Sequence, residues 1–337
     1  MSPDSPLQGP ATEAVGGTAS PRLSVVAPVF NEERIVPDLV RRITETCRRL
    51  SEPFEILMVD DGSRDGTLLE LAGLSRSIPE LRVISLFRNF GHMSALSAGI
   101  LLAKGDAVLV MDGDLQDPPE LIGQFYDEWK GGADVVYGLR IARKERLMVR
   151  WATSLFYFIL GKLSDTPIPR QAGTFCLMDR VVVDFLRAMP ERSRFFAGLR
   201  AWIGGRQSFV KYERPDRPHG QSQVGMRGLF RLARTALISF SKVPLRYASL
   251  LSLSCGLVLF LVGSIAIGIR MFTNLAIPGW ATYTTLFGMT GFVQSLVLAA
   301  LSEYVAVIFD EVKNRPLFLV REEIVQGKAV RGSRREG

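Results

Sequence analysis

Met111-Asp-Gly-Asp-Leu-Gln-Asp-Pro-Pro-Glu120 follows a short apolar run over 107–111 and ends it. The run reads as a buried strand, and Pro118-Pro119 forbids its continuation. Asp112 and Asp114 stand one residue apart at the strand tip, with Gln116 and Asp117 directly behind them. Carboxylates this dense repel one another unless a positive charge lies between them. Taken alone, the stretch fits two readings. One is a solvated acidic turn. The other is a hard-cation site that holds a diphosphate, because Mg²⁺ takes one or two carboxylates and completes its shell with phosphate oxygens and water.

Upstream, the same pattern recurs. Short runs over 23–27, 54–59 and 81–86 read as strands, as does 133–137 downstream. Each ends in polar residues: Asn31 and Glu32, Asp60 and Asp61, Arg88 and Asn89, and Arg140. Helical periodicity separates them. Ile35, Leu39, Ile43 and Cys47 fall one per turn on a helix running to about Leu50, with Asn31 as its expected N-cap. A further helix is expected from about Met93 to Ala103, and 180–186 and 191–202 also read as helical. Arg192, Arg194 and Arg200 are expected to be solvated or paired with acids.

Strands alternating with helices imply βαβ units and a mostly parallel α/β sheet. Ligands of such sheets bind at the carboxyl ends of the strands, where all five polar tips fall. No Gly-x-Gly-x-x-Gly follows the first strand and no Gly-x-x-x-x-Gly-Lys-Ser/Thr occurs, so the dinucleotide and P-loop sites are excluded.

The net charge of +7 admits a polyanionic partner: nucleic acid, an anionic membrane surface or phosphorylated substrates. Cys47, Cys176 and Cys255 are scattered, without metal-ligand spacing or a disulfide framework, which fits a reducing compartment. With only His92 and His219, a histidine-rich metal site is excluded.

Residues 248–269 carry no charge, and neither do 271–302, where Pro278-Gly279 interrupts the run. Two membrane spans are expected, the second from 280–284 to about 308. Arg227, Arg231, Arg234, Lys242 and Arg246 precede them, and Lys313, Arg315 and Arg321 follow. The connecting loop holds only Arg270, so both flanks are placed in the cytoplasm by the positive-inside rule. Two basic amphipathic helices, near 143–163 and over 224–246, are expected at the membrane surface. The expected organisation is a disordered leader (1–21), a cytoplasmic catalytic domain (22–223), the juxtamembrane helix (224–246), two spans (247–309) and a cytoplasmic C-terminal tail (310–337), solvated or lipid-touching from Arg321.

Pro28-Val-Phe-Asn-Glu-Glu33, Val59-Asp-Asp-Gly-Ser63, Arg88-Asn-Phe-Gly91 and Asp112-Gly-Asp-Leu-Gln-Asp-Pro-Pro119, in that order and followed by two spans, resemble glycosyltransferase family 2. Within it they resemble the polyisoprenyl-phosphate glycosyltransferases, both bactoprenol glucosyltransferases and dolichyl-phosphate mannose synthases. The resemblance implies a Rossmann-like GT-A fold. It also implies inverting, metal-dependent transfer from a UDP-sugar, glucose-type first, to a lipid such as undecaprenyl phosphate at the cytoplasmic face of the cell membrane. Pro28, Asn31, Glu32, Asp60, Asp61 and Asn89 would line the nucleotide pocket, with Asp61 against the uracil ring. Asp112, Asp114 and Gln116 would hold Mg²⁺ or Mn²⁺. Arg140, Arg150, Ser154, Arg217 and Ser222 would grip the lipid phosphate, with Arg140 also counted as catalytic beside Asp112 and Asp114. The chain departs from the family's pattern at Gln223, where a lysine is expected, and at Thr174, where relatives often place an acid. The implied partners are the nucleotide sugar, the polyisoprenyl phosphate and the bilayer, not nucleic acid. A homo-oligomer and a flippase partner stay open. GDP-mannose as donor and a non-catalytic membrane scaffold are the alternatives. A processive polysaccharide synthase would need a Gln-x-x-Arg-Trp motif, which is absent.

Overall fold

The computed structural model describes residues 20–140, 172–189, 196–213, 243–272, 279–313 and 315–331. One nine-stranded sheet organises them, and its middle is the first strand, β1 (Leu23–Val29). All seven residues of β1 are buried, as a strand covered on both faces by helices requires. Parallel neighbours flank it: β2 (Phe54–Asp60) on one side and β4 (Ala107–Val110) on the other, with β3 (Leu81–Leu86) parallel to β2. The intervening helices are α1 (Val36–Arg49), α2 (Thr67–Ser77) and α3 (His92–Leu102). The expected alternating sheet is thus present through its first four strands.

Asn31 does not cap α1. That helix starts at Val36 with Ile35 as N-cap and a proline in its first turn, an N-terminus set by backbone geometry rather than a side chain. Asn31 instead adopts a left-handed conformation, φ 55°, which asparagine tolerates. Its side chain turns to the neighbouring loop, as described below.

Beyond β4 a 3-10 turn at Pro119–Leu121 leads into α4 (Ile122–Lys130) and then β5 (Val135–Arg140). Two further strands complete this side. β6 (Ala172–Asp179) inserts antiparallel between β4 and β5, and β7 (Gln207–Tyr212) runs parallel to β5 at the edge. Between them lie α5 (Arg180–Ala188), capped by Asp179 through the Val181 amide, and α6 (Phe196–Ile203).

Two long helices follow, α7 (Val243–Phe272) and α8 (Trp280–Val312), and they pack against each other. The expected boundary at 246 between a surface helix and a span is not a break, because α7 is continuous across it. Gly279 is the N-cap of α8, in keeping with the break expected at Pro278-Gly279. Among the described residues, one stretch, Leu286–Phe309, is long and apolar enough to cross a membrane, and most of its large side chains are exposed. The described apolar stretch of α7 is Ser249–Val258.

The chain then returns to the sheet. β8 (Val320–Val325) pairs antiparallel with β3, and β9 (Lys328–Arg331) pairs with β8. The segment from Arg321, expected as a solvated or lipid-touching tail, is instead part of two strands. Ile324 is buried in the core, and Glu323 takes Arg82 Nε at 2.8 Å. Arg82 also bonds Glu55, which accepts the Ser24 hydroxyl and the Lys104 amide at 2.6 Å each. The charged tail composition masked a strand because its charges pair with the edge it covers. The proposed leader, the helix near 143–163 and most of 224–246 lie outside the described residues.

Candidate active site

The carboxyl ends of β1 to β5 form one rim of the sheet, and close packing of their loops fixes it. Asn31 N–H donates to Ser63 Oγ at 2.9 Å, while Asn31 Oδ1 accepts the Arg64 amide at 2.8 Å. Glu32 N–H donates to Thr67 Oγ1 at 2.9 Å, and Glu33 Oε2 accepts the Gly66 amide at 3.1 Å. The loops after β1 and β2 are therefore laced together before any ligand arrives. Gly62, φ +69°, lies so near the loop after β3 that a Cβ would meet the Arg88 carbonyl carbon at 2.5 Å. The glycine of the Asp-Asp-Gly-Ser motif is a packing requirement.

Asp60 and Asp61 close β2, at 1 % and 3 % exposure. Burial raises the pKa of each carboxyl; hydrogen bonds oppose this, from Ser63 to Asp60 and from Phe90 and Gly91 to Asp61. Asp60 Oδ1 accepts the Ser63 amide at 3.1 Å. Asp61 accepts the Phe90 amide at 2.7 Å on one oxygen and the Gly91 amide at 2.9 Å on the other. Beside its expected contact with a base, Asp61 has a structural part in the rim. Both oxygens hold the turn that leads into α3, so Asp61 is a support for the rim. Asn89 lies on that turn, exposed, and Arg88 places its guanidinium 4.8 Å over the Phe90 ring.

The tip of β4 is the most constrained part of the rim. A Cβ on Gly113 would meet the Pro28 carbonyl oxygen at 2.5 Å, so the two acids sit directly against the end of β1. Asp114 Oδ1 accepts the Gln116 amide at 3.1 Å, and Leu115 between them is left-handed at φ 59°. A non-glycine residue in that region is held there by its surroundings. Asp117 is fully buried, accepting the Asp112 amide at 3.0 Å and the Tyr212 hydroxyl at 2.7 Å. Asp117 thus shapes the loop that presents Asp112 and Asp114. His92, at the start of α3, brings Nε2 to 3.4 Å from Asp112 Oδ1.

Sequence reading missed His92, Tyr212 and Arg200. His92 follows directly on the Arg88-Asn-Phe-Gly91 motif, which was the available signal. Tyr212 gave none, since it lies far along the chain on a strand that periodicity did not reveal. Arg200, expected on the surface or beside an acid, is buried at 2 % exposure. It donates to the carbonyls of Gly173 at 2.9 Å and Phe196 at 3.2 Å, touches Cys176 Sγ, and stacks 5.2 Å from the Tyr137 ring. Gly173 and Thr174 begin β6 at the same rim, so Arg200 pins the rim from beneath.

Pro28, Asn31, Glu32, Asp60, Asp61, Asn89, Asp112, Asp114 and Gln116 are all brought to one rim, and Arg140 ends β5 there. The β5–β6 register shifts between Tyr137 and Leu139, just before Arg140. Arg150, Ser154, Arg217, Ser222 and Gln223 lie outside the described residues.

Among the described residues, no cluster of three or more His, Cys, Asp or Glu side chains could hold a metal ion by itself. Two carboxylates on one tip suit a different cation site, one completed by phosphate oxygens and water. The donor set fits Mg²⁺ or Mn²⁺ on a diphosphate and not an all-protein cage.

A mainly parallel sheet centre whose carboxyl-end rim carries acidic tips is the kind of α/β domain that binds ligands at that rim. The sequence model of Glycosyl transferase family 2 matches residues 24–187, from β1 into α5. An uncharacterized glycosyltransferase of Synechocystis sp. is 38% identical over 301 residues, covering 89% of this chain and 95% of that protein. The uncharacterized glycosyltransferase YkcC of Bacillus subtilis is 35% identical, covering 89% and 93%. The SfII prophage-derived bactoprenol glucosyl transferase of Shigella flexneri is 34% identical over 302 residues, covering 89% and 98%. The chain belongs to glycosyltransferase family 2. It is a glycosyltransferase with a GT-A α/β domain.

Proposed function

We propose that the chain moves a sugar from a nucleoside diphosphate sugar, UDP-glucose first among donors, to a polyisoprenyl phosphate such as undecaprenyl phosphate, with inversion. The observation that carries this reading is the Asp112-Gly-Asp114 tip, held by Asp117 against β1 and opening on a rim of nucleotide-type loops. The name of the Shigella relative, a bactoprenol glucosyl transferase, supports the acceptor class.

On this reading Pro28, Asn31, Glu32, Asp60, Asp61 and Asn89 receive the nucleotide, with Asp61 against the base while it also braces the turn into α3. Asp112 and Asp114, with Gln116 beside them, would hold Mg²⁺ or Mn²⁺. When bound, that ion offsets charge on the departing diphosphate as a Lewis acid. Arg140 receives the acceptor phosphate on the opposite side, where a guanidinium fork matches phosphate oxygens; Arg150, Ser154, Arg217 and Ser222 are assigned the same role. A phosphate monoester has a second pKa of about 6, so it is largely dianionic at neutral pH and requires no strong base. Thr174 in place of an acid is compatible with that. One acceptor oxygen bonds the anomeric carbon as its bond to the diphosphate breaks, and the nucleoside diphosphate leaves. In-line attack inverts the configuration.

Helices α7 and α8 would span the membrane, with the catalytic domain in the cytoplasm. The apolar exposure of α8 supports this, since water is a poor solvent for such a surface. The test is radiolabelled nucleotide sugar incubated with membranes and polyprenyl phosphate. Labelled lipid is expected from UDP-glucose and is lost in Asp114→Ala or in excess chelator. Product from GDP-mannose alone would reassign the donor, and full activity of Asp114→Ala would sink the metal role. Absence of lipid-linked product from every nucleotide sugar would favour a scaffold.

A further inference from the structure

The direction in which α8 hands the chain to the sheet decides which way the rim faces. β8 is antiparallel to β3 and starts at Val320, opposite Leu86, the carboxyl end of β3. The link from Val312 to Val320 therefore arrives at the active-site rim and not at the opposite edge. Its reach is at most ~28 Å fully extended.

At that arrival point two large apolar side chains face outward. Phe87, directly after β3, is 63% exposed, and Leu319, directly before β8, is 44% exposed. They share a hydrogen bond, Phe87 N–H to the Leu319 carbonyl at 3.1 Å. Their chain neighbours point the other way. Leu86 and Phe318 are buried together with Val59, Ile84 and Ala95. The corner is thus held rigidly with its apolar side chains outward, so it is not a mobile loop tip. Arg88 and Arg321, next to the corner in the chain, are exposed, as are Lys313 and Arg315 in the link that leads to it.

We infer that the Phe87–Leu319 corner is a membrane-contact surface that sits in the interfacial layer of the bilayer. Its occupant is the lipid surface, for two reasons. The corner is reached by the short link that leaves α8, whose Phe309 and Val312, near its C-terminus, are also exposed. The exposed arginines and lysine that flank it in the chain are complementary to anionic head groups. Aromatic side chains favour this layer, and side chains on a surface element enter it by roughly 5–10 Å. The consequence for the reaction is geometric: the rim is held at the depth where a lipid-borne phosphate lies. The inference rests on the membrane reading of α7 and α8.

The test uses the full chain in phosphatidylethanolamine–phosphatidylglycerol vesicles doped with phospholipids carrying a diazirine near the head group or deep in the acyl chain. Labelled residues are mapped by mass spectrometry. Phe87 and Leu319 are expected to label from the shallow probe, and 286–309 from the deep one. Labelled 286–309 with an unlabelled corner overturns this inference alone; neither labelled overturns the membrane reading beneath it. The double variant Phe87→Ser, Leu319→Ser changes only exposed positions. It is expected to raise KM for vesicle-embedded acceptor several-fold, with donor KM and kcat unchanged; an unchanged acceptor KM overturns the role in reaching the lipid.

Discussion

The Tyr212 hydroxyl donates to Asp117 Oδ1 at 2.7 Å, joining the edge strand β7 to the loop that carries the acidic pair. The other Asp117 oxygen accepts the Asp112 amide. One buried carboxylate thus transmits the position of the sheet edge to the acidic tip. Tyr212→Phe keeps the ring packed against Phe175 and removes only the donor. It is expected to cost about 1–3 kcal/mol, the range for a buried acceptor losing its partner. It should also lower kcat with little change in donor KM. Urea denaturation and steady-state kinetics check both.

Gly113→Ala sets a methyl group against the Pro28 carbonyl oxygen and the Val29 side chain. Neither can retreat easily, because β1 lies at the centre of the sheet. Loss of transfer is expected, with a lowered melting temperature. The comparison variant Gly73→Ala, at a helix position with open space around it, should melt at or above wild type. Circular dichroism melts separate the two.

The sign of the pH effect at Asp60 follows from its burial, which lifts its carboxyl pKa above the ordinary value. The folded state then holds the proton to a higher pH than the unfolded chain does. The associated stability is fully present below the unfolded carboxyl pKa, ~3.9, and is lost as pH rises through the raised folded value. At neutral pH the ionised group is a burden on the fold. Asp60→Asn retains an acceptor for the Ser63 amide and removes that burden. It is expected to raise the melting temperature at pH 7.5, with the gain shrinking toward pH 4, while donor affinity falls. Melts across that range, with binding of the nucleotide sugar, check the trade-off.

Arg200→Met leaves the Gly173 and Phe196 carbonyls without their guanidinium donor inside the protein. A loss of about 1–3 kcal/mol per unsatisfied group is expected. Arg200→Lys, which keeps the charge but not the fork, should recover only part of it. Chemical denaturation of the three proteins gives the order.

Much of the rim was legible before any coordinates. Parallel central strands such as Leu23–Val29 are apolar throughout, and their tips end in polar residues that have no reason to cluster except at a site. The strands that escaped reading are those whose character depends on distant partners. Gln207–Tyr212 alternates exposed and buried residues weakly, and Val320–Val325 is half charged because Glu323 pairs with Arg82. Asp61 was legible as a rim residue but not as a brace, because the amides it accepts come from a loop some thirty positions away. Asn31 misled as a cap for a related reason: Ser63 and Arg64 claim it first.

The placement of β8 also bears on how the protein is made. β3 stays a bare sheet edge until residues that follow both long helices reach it. A ribosome therefore releases β1 to β4 early, with their outer edge open and Arg82 and Glu55 still lacking Glu323. Only after the helices have emerged does the nascent chain supply the strand that finishes the domain. Completion of the enzyme is coupled by chain order to synthesis of its helical pair, so a product truncated before 320 should be left with an adhesive edge instead of a finished catalyst.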